Sequence, residues 1–195
     1  MCKLKSAIIL KNRIFIPEYD SHSDMLKELG IKDDYLGASK KFVRAELSPI
    51  DGDVFTDIAY WEFVVDQDFV PEWFTREEYK PKMVEAVKEW AKTHIHVGVI
   101  GLKIEGGKNH YIKDCKDVEI KNSTVTAWGK STVTARENST VTNDTFWPWR
   151  NQDKLILSDN STFKDKKGKV IYQAGNYKLI SVESGKAIGE ANEQK

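Results

Sequence analysis

The sequence predicts an α+β N-terminal domain followed by a short all-β C-terminal region. Residues 1–104 combine alternating apolar residues with one long amphipathic pattern. From Glu105 onward, helix signals disappear, and Gly, Asn, Asp, Ser and Thr become frequent. An eight-residue unit then repeats three times over residues 122–145, which is typical of a β-solenoid. We therefore expect two domains, 1–104 and 105–185, and a disordered tail at 186–195.

The first elements of the N-terminal domain are a hairpin and a short helix. Residues 7–16, AIILKNRIFI, form two apolar runs on either side of Lys-Asn, which predicts a β-hairpin. Ser21 is expected to cap a helix, with Asp24 three residues later in the position that a capping box requires. Gly30 can end that helix in a left-handed conformation.

Two strands, a longer helix and a third strand follow. Apolar and polar residues alternate in KFVRAELS (41–48) and in AYWEFVVDQ (59–67), so both segments are predicted strands. Thr75 opens a capping-box pattern, and Pro81 suits the start of the helix that follows. That helix is expected to reach the apolar segment HIHVGVIGLKI (94–104), which predicts a single buried strand.

The repeat units NSTVTAWG, KSTVTARE and NSTVTNDT predict parallel coils that contain two units each. Side chains alternate along a strand, so the valine of each unit faces the interior and its threonines face outward. Two units give sixteen residues per turn, which places Val125 beside Val141 and puts Val133 across the core. A β-meander with a hairpin turn at residues 128–130 is the alternative. The residues expected to be mostly exposed are Thr124, Thr132 and Thr140.

Composition limits the partners of the protein. Thirty basic residues balance thirty acidic ones, so net charge offers no attraction to nucleic acid or to an anionic membrane. The apolar run near the N-terminus is too short for a membrane span, and we expect no signal peptide. Cys2 and Cys115 lack metal-type spacing and are expected to be reduced thiols. These features predict a cytoplasmic protein.

Charge is distributed unevenly along the chain. From Ala45 to Thr75 there is no lysine or arginine, but there are eight acidic and seven aromatic residues. Such a segment predicts a surface that attracts a basic protein by charge and holds it by aromatic anchors. A solvated acidic face without a partner is the alternative. The predicted binding residues are Asp51, Asp53, Asp57, Asp66, Asp68, Trp73, Trp147 and Trp149. The last two belong to the segment FWPWR, which is also a candidate cap for the solenoid.

Support for catalysis in the sequence is limited to three histidines. His94 and His96 would share one face of a strand, and with His110 they mark an alternative function, an enzyme with its site between the domains. No third metal ligand stands at a familiar spacing, and there is no nucleophile elbow, P-loop or dinucleotide fingerprint. We therefore predict a non-catalytic binding protein without catalytic residues, metal or cofactor.

The octapeptides NSTVTAWG, KSTVTARE and NSTVTNDT resemble those of a group of uncharacterised bacteriophage and prophage proteins. These proteins carry repeats of the NATVxAWG kind after an N-terminal α+β region. The resemblance implies a phage or mobile-element protein that acts in the cytoplasm of a bacterial host, and it assigns no catalytic residue. The partner would then be a basic host protein, for example a defence factor. A structural particle component that forms homo-oligomers through its solenoid is a further alternative.

Overall fold

The structure is a computed structural model, and strands far outnumber helices in it. The chain divides into two compact units, which we call unit 1 (Met1–Lys92) and unit 2 (Thr93–Lys195). The residues that the structure describes are 4–34, 38, 40–143, 154–157, 161–164, 170–173, 179–183 and 186–190.

Unit 1 contains a four-stranded antiparallel sheet. Its strands are ordered β2-β1-β3-β4, so β4 is an edge strand. The helices are α1 (His22–Glu28) and α2 (Arg76–His94), and a 3₁₀ turn, Ile58–Tyr60, precedes β4. The strands are β1 (Lys5–Leu10), β2 (Arg13–Phe15), β3 (Val43–Ser48) and β4 (Glu62–Val65).

The local signals that predicted α1 and α2 are present as hydrogen bonds. Ser21 Oγ accepts from the Asp24 N–H at 3.3 Å, and Thr75 Oγ1 accepts from the Glu78 N–H at 3.3 Å. Helix α2 therefore starts at Arg76, five residues before the predicted start at Pro81. The proline lies inside the helix, where it removes one backbone hydrogen bond.

Both central strands of unit 1 are buried on both faces. On one face, Ile8 and Phe42 pack against Met25 and Leu26 of helix α1. On the opposite face of the sheet, helix α2 contacts β1. The Lys5 ammonium lies over the Trp90 ring, 4.9 Å from its centroid. The two edges of the sheet are β2 and β4.

Unit 2 contains a β-solenoid of about three turns in residues 95–142. Neighbouring coils pair in parallel and build two sheets. The first sheet contains β5 (Ile95–Val97), β7 (His110–Lys113), β9 (Thr124–Trp128), β11 (Thr140–Asn143), β13 (Thr162–Lys164) and β14 (Val170–Gln173). The second contains β6 (Lys103–Glu105), β8 (Val118–Lys121), β10 (Thr132–Arg136), β12 (Lys154–Leu157), β15 (Leu179–Glu183) and β16 (Lys186–Glu190).

The register of the coils confirms the predicted solenoid and rules out the meander for these strands. Val125 pairs in parallel with Val141, while Val133 lies in the other sheet beside Val118 and Leu155. All of these side chains are buried in one apolar cluster. The outward threonines are half-buried rather than mostly exposed, because each is flanked by the side chains of the coils above and below.

The serine of each unit explains why the repeat needs a polar residue at the corner. Ser131 Oγ accepts from the Cys115 N–H at 3.2 Å and donates to the Trp128 carbonyl at 2.9 Å. Ser139 Oγ makes the equivalent bonds one unit later, and Ser123 Oγ also contacts buried carbonyls. Backbone groups that leave the ladder at a corner are thereby satisfied. Cys115 stands sixteen residues before Ser131, in the equivalent position of the preceding coil.

The solenoid begins ten residues earlier than predicted. The segment 94–104 is not one buried strand, because Gly98 and Gly101 have positive φ angles of 66° and 71° and turn the chain at a corner. Strands β5 and β6 result, with Val97 exposed at the end of β5 and Ile100 exposed in the connection. The boundary between the units accordingly lies at residues 92–93 rather than at 104–105.

Beyond the parallel coils, antiparallel strands extend both sheets. Strand β14 pairs with β13, and β15 pairs with β12 and with β16. Part of the predicted disordered tail is therefore a strand, because β16 spans Lys186–Glu190 and pairs with β15. Residues 191–195 lie outside the described part of the chain. Neither helix of the described residues is long and apolar enough to cross a membrane.

Candidate functional site

The acidic segment, residues 45–75, contains the edge strand β4 of unit 1. One group of its residues lies in the connection from β3 to β4, and the other directly follows β4. The Asp66 N–H donates to the Arg44 carbonyl at 2.9 Å, so the second group continues along β3 beyond the end of β4. Arg76 covers part of the free edge by donating to the Phe63 carbonyl at 3.3 Å. The two groups therefore flank an edge that is partly covered.

Three of the predicted binding aspartates hold turns together. Asp51 Oδ1 accepts from the Asp53 N–H at 3.0 Å, and Asp53 Oδ1 accepts from the Phe55 N–H at 2.9 Å. Asp57 caps the 3₁₀ turn by accepting from the Ala59 N–H at 2.9 Å. One oxygen of each carboxylate is thus used locally. The charges of Asp51 and Asp57 are exposed, whereas Asp53 is half-buried.

The other two predicted aspartates differ from one another. Asp68 is exposed beside Phe69 and Val70, and all three lie in the loop after β4. Asp66 is also exposed, but its Oδ2 atom lies 3.5 Å from Nδ1 of the buried His22. Asp66 is therefore part of a specific polar group as well as part of an acidic surface.

Three apolar side chains that the sequence prediction missed are suited to be anchors. Ile50 is 80% exposed, Tyr60 is 76% exposed and Phe69 is 50% exposed, and each lies next to or near an exposed aspartate. Tyr60 and Phe69 belong to the seven aromatic residues of 45–75, but the sequence did not single them out. For Ile50, the only signal was its position in a turn between Pro49 and Asp51. We call Ile50, Asp51, Asp57, Tyr60, Asp66, Asp68 and Phe69 the acidic surface.

The predicted anchor Trp73 is half-buried in an aromatic cluster. Its ring meets those of Phe74 and Tyr79 edge-on, with centroid distances of 6.4 and 5.6 Å. Packing within the fold thus takes up much of the surface that an anchor would offer to a partner. The other predicted anchors, Trp147 and Trp149, lie outside the described residues.

The charges on the outer face of the second solenoid sheet compensate one another. Lys121 Nζ lies 2.9 Å from Glu137 and 3.6 Å from Glu105. Glu119 likewise lies between Lys103 and Arg136, at 3.6 and 3.5 Å. Among the side chains that the structure describes, this face therefore presents no excess of negative charge, in contrast to the acidic surface of unit 1.

The three histidines of the enzyme alternative all lie in unit 2, but not as predicted. His94 ends helix α2 and His96 lies in β5, so they do not share the face of a strand. Instead, the rings of His94 and His110 stack in parallel, 4.7 Å apart with an angle of 8°. Both rings are buried, and His110 Nδ1 has no hydrogen-bond partner among the described residues. Imidazoles packed in this way lack the access to substrate that a general base needs.

Burial makes the histidine cluster sensitive to acid. Burial lowers the pKa of His110 below its usual range, and the charges of His94 and His96 lower that pKa further. The unfolded chain therefore takes up the proton first when the pH falls. The stability contributed by neutral His110 is complete above about pH 6.5 and is lost as the pH falls toward the lowered pKa.

We expect the substitution His110→Phe, which keeps a ring against His94, to reduce the loss of unit 2 stability between about pH 7.5 and pH 5. Pulse-labelling hydrogen exchange across a urea series, labelled at one fixed pH, would follow the amides of residues 95–142 separately from unit 1. An equal loss of stability in the wild type and in the variant would show that His110 does not carry the acid sensitivity.

Comparisons with known proteins add no relative to this description. No family model, curated protein or solved structure matches the chain.

Proposed function

We propose that this chain is a non-catalytic protein-binding module whose acidic surface engages a basic protein. One observation carries the proposal. Among the described residues of unit 1, the large hydrophobic side chains that are exposed all lie within the segment that lacks lysine and arginine. They are Ile50, Tyr60, Phe69 and Val70. Exposed apolar groups surrounded by like charges are what a surface needs to attract an oppositely charged protein and then hold it.

Two further observations favour binding by this surface over binding or catalysis elsewhere. The second solenoid sheet compensates its own charges, so it exerts little long-range attraction on a basic partner. The buried stack of His94 and His110 offers little support for an enzyme. By its resemblance to bacteriophage and prophage proteins, the module would act in the bacterial cytoplasm on a host protein such as a defence factor. Its negative charges disfavour direct contact with nucleic acid.

The test of this proposal uses a variant that removes charge and keeps the turns. In Asp51→Asn/Asp57→Asn/Asp68→Asn, the asparagine side chains can still accept the backbone N–H bonds that the aspartates accept. We expect association with the partner, isolated on the wild-type protein from a bacterial lysate, to slow by about tenfold or more at low salt. The salt dependence of association should become flatter, and the melting temperature should stay unchanged.

A matched control removes three charges from another exposed surface. The control variant changes the net charge by the same amount, on helix α2, through Glu77→Gln/Glu85→Gln/Glu89→Gln. Its association rate should stay close to that of the wild type. Phe69→Ala should instead speed dissociation, because it removes an anchor and not a charge. If the triple asparagine variant associates as fast as the wild type at low salt, the acidic surface does not steer a partner and the proposal fails.

A further inference from the structure

Three polar side chains from distant parts of unit 1 converge on one point. The ligand atoms of His22, Glu46 and Asp66 all lie within 4.8 Å of one another. Among the described residues, no other group of three histidine, cysteine, aspartate or glutamate residues meets this condition. The sequence does not predict the group, because its members are separated by 24 and 20 positions and belong to no common motif.

The fold explains why these three residues meet. The Ser21 cap starts helix α1 at His22, which places the imidazole against the sheet. Glu46 pairs with Val64 across β3 and β4, and the bond from Asp66 N–H to the Arg44 carbonyl continues this pairing. Because residues two apart on a strand share a face, Glu46 and Asp66 lie on the same side of the sheet as neighbours.

The hydrogen bond of His22 determines which nitrogen faces the carboxylates. Nε2 lies 3.2 Å from the Ala45 carbonyl oxygen, which can only accept, so Nε2 carries the hydrogen. Nδ1 then faces Asp66 Oδ2 at 3.5 Å. A lone pair on Nδ1 and a carboxylate oxygen repel each other unless a cation or a proton lies between them. Bonding of the remote nitrogen to a carbonyl is also the usual way in which proteins orient a metal-binding histidine.

Two of these three side chains are shielded from solvent. His22 and Glu46 are each only 5% exposed. Ser6 pairs directly with Glu46 across β1 and β3, on the same face, and is fully buried. Its hydroxyl has no hydrogen-bond partner among the described residues, which is rare for a buried polar atom. The exposed carboxylate of Asp66 gives the group access to solvent.

We infer that His22 Nδ1 and the carboxylates of Glu46 and Asp66 bind a divalent first-row transition-metal ion, such as Zn²⁺ or Mn²⁺. A set of one imidazole and two carboxylates suits these ions better than Ca²⁺ or Mg²⁺, which prefer oxygen ligands alone. Three protein ligands leave a coordination position for water, to which the Ser6 hydroxyl can bond. The inference does not depend on the proposed protein-binding function, whose test leaves Asp66 intact.

Calorimetric titration of the chelator-treated full-length protein with Zn²⁺, and separately with Mn²⁺, tests the site. We expect one ion per chain and a higher melting temperature for unit 1. His22→Gln and Asp66→Asn should each weaken binding by at least about tenfold. Asp66 is exposed, so Asp66→Asn should fold even if a substitution at buried His22 does not. Asp68→Asn and His96→Gln, which change similar residues outside the group, should bind as the wild type does.

Three outcomes would overturn the inference. The first is a wild-type protein that binds neither ion, or that binds only Ca²⁺. The second is binding that Asp66→Asn leaves unchanged. The third concerns the proton that could take the place of the metal between His22 and Asp66. If nitrogen NMR at neutral pH shows both ring nitrogens of His22 protonated, and Zn²⁺ does not change that spectrum, the group is an ion pair.

Discussion

Val133→Asp should destabilise unit 2 by more than about 4 kcal/mol, because it places a carboxylate without a partner in an apolar interior. Val133 is 2% exposed and lies between Val118 and Leu155 of the neighbouring coils. The interior between the two sheets is narrow, so the new side chain cannot reach water without opening the coil. Urea denaturation, followed by hydrogen exchange in residues 95–142, measures the loss.

Two further variants make the result for Val133 interpretable. Thr126→Asp places the same charge on the outward face of β9, beside Tyr111 and Thr142, and should cost less than about 1 kcal/mol. Val133→Ala should cost about 2 kcal/mol, and it remains measurable if the aspartate variant does not fold. If Val133→Asp and Thr126→Asp prove equally stable, Val133 does not face the interior.

Asp20→Ala should destabilise unit 1 by about 3 kcal/mol, because it leaves the ammonium group of Lys5 buried without its counter-ion. Lys5 is fully buried, and its Nζ donates to Asp20 Oδ1 at 3.1 Å and to the Pro17 carbonyl at 2.7 Å. The Trp90 ring, 4.9 Å from Nζ, is a weak replacement for a carboxylate. The same Asp20 oxygen also accepts from the Ser6 N–H, which would lose this acceptor. The free energy of unfolding of unit 1 measures the effect.

A variant that removes both charges shows whether the destabilisation by Asp20→Ala comes from the unpaired lysine or from the lost packing of the aspartate side chain. The double variant Lys5→Met/Asp20→Asn should recover most of the stability, because a buried ion pair contributes little over an apolar pair of similar volume. Glu85→Ala breaks the exposed pair with Lys88 and should barely change stability. A double variant that is as unstable as Asp20→Ala would contradict the explanation through the unpaired charge.

The architecture of the solenoid could be predicted from the sequence because its determinants are local and repeated. The alternation of Ser123, Val125 and Ala127 in one unit, carried through three units, determines which side chains enter the core, and all three are buried. The helix caps at Ser21 and Thr75 could be predicted for the same reason, since each depends on residues within one turn.

The start of the solenoid could not be predicted, because apolar composition alone does not distinguish a continuous strand from two strands joined at a corner. Gly98 and Gly101 decide the matter through positive φ angles that only the stacked coils require. The first coil also lacks the repeated motif, so its pairing with the next coil became visible in the structure, in the registers of Ile95 with Tyr111 and of Ile104 with Ile120.

By itself, the sequence determined the strand-rich class of the fold, the parallel stacking of the repeats and the uneven distribution of charge. The tertiary structure decided which of the charged and aromatic residues are available. It placed Trp73 in an aromatic cluster, exposed Ile50, Tyr60 and Phe69, and brought His22, Glu46 and Asp66 together. The physical reason is the range of the interactions. Periodicity and capping act between neighbours in the chain, whereas burial and the meeting of polar groups depend on strands and helices that lie far apart in sequence.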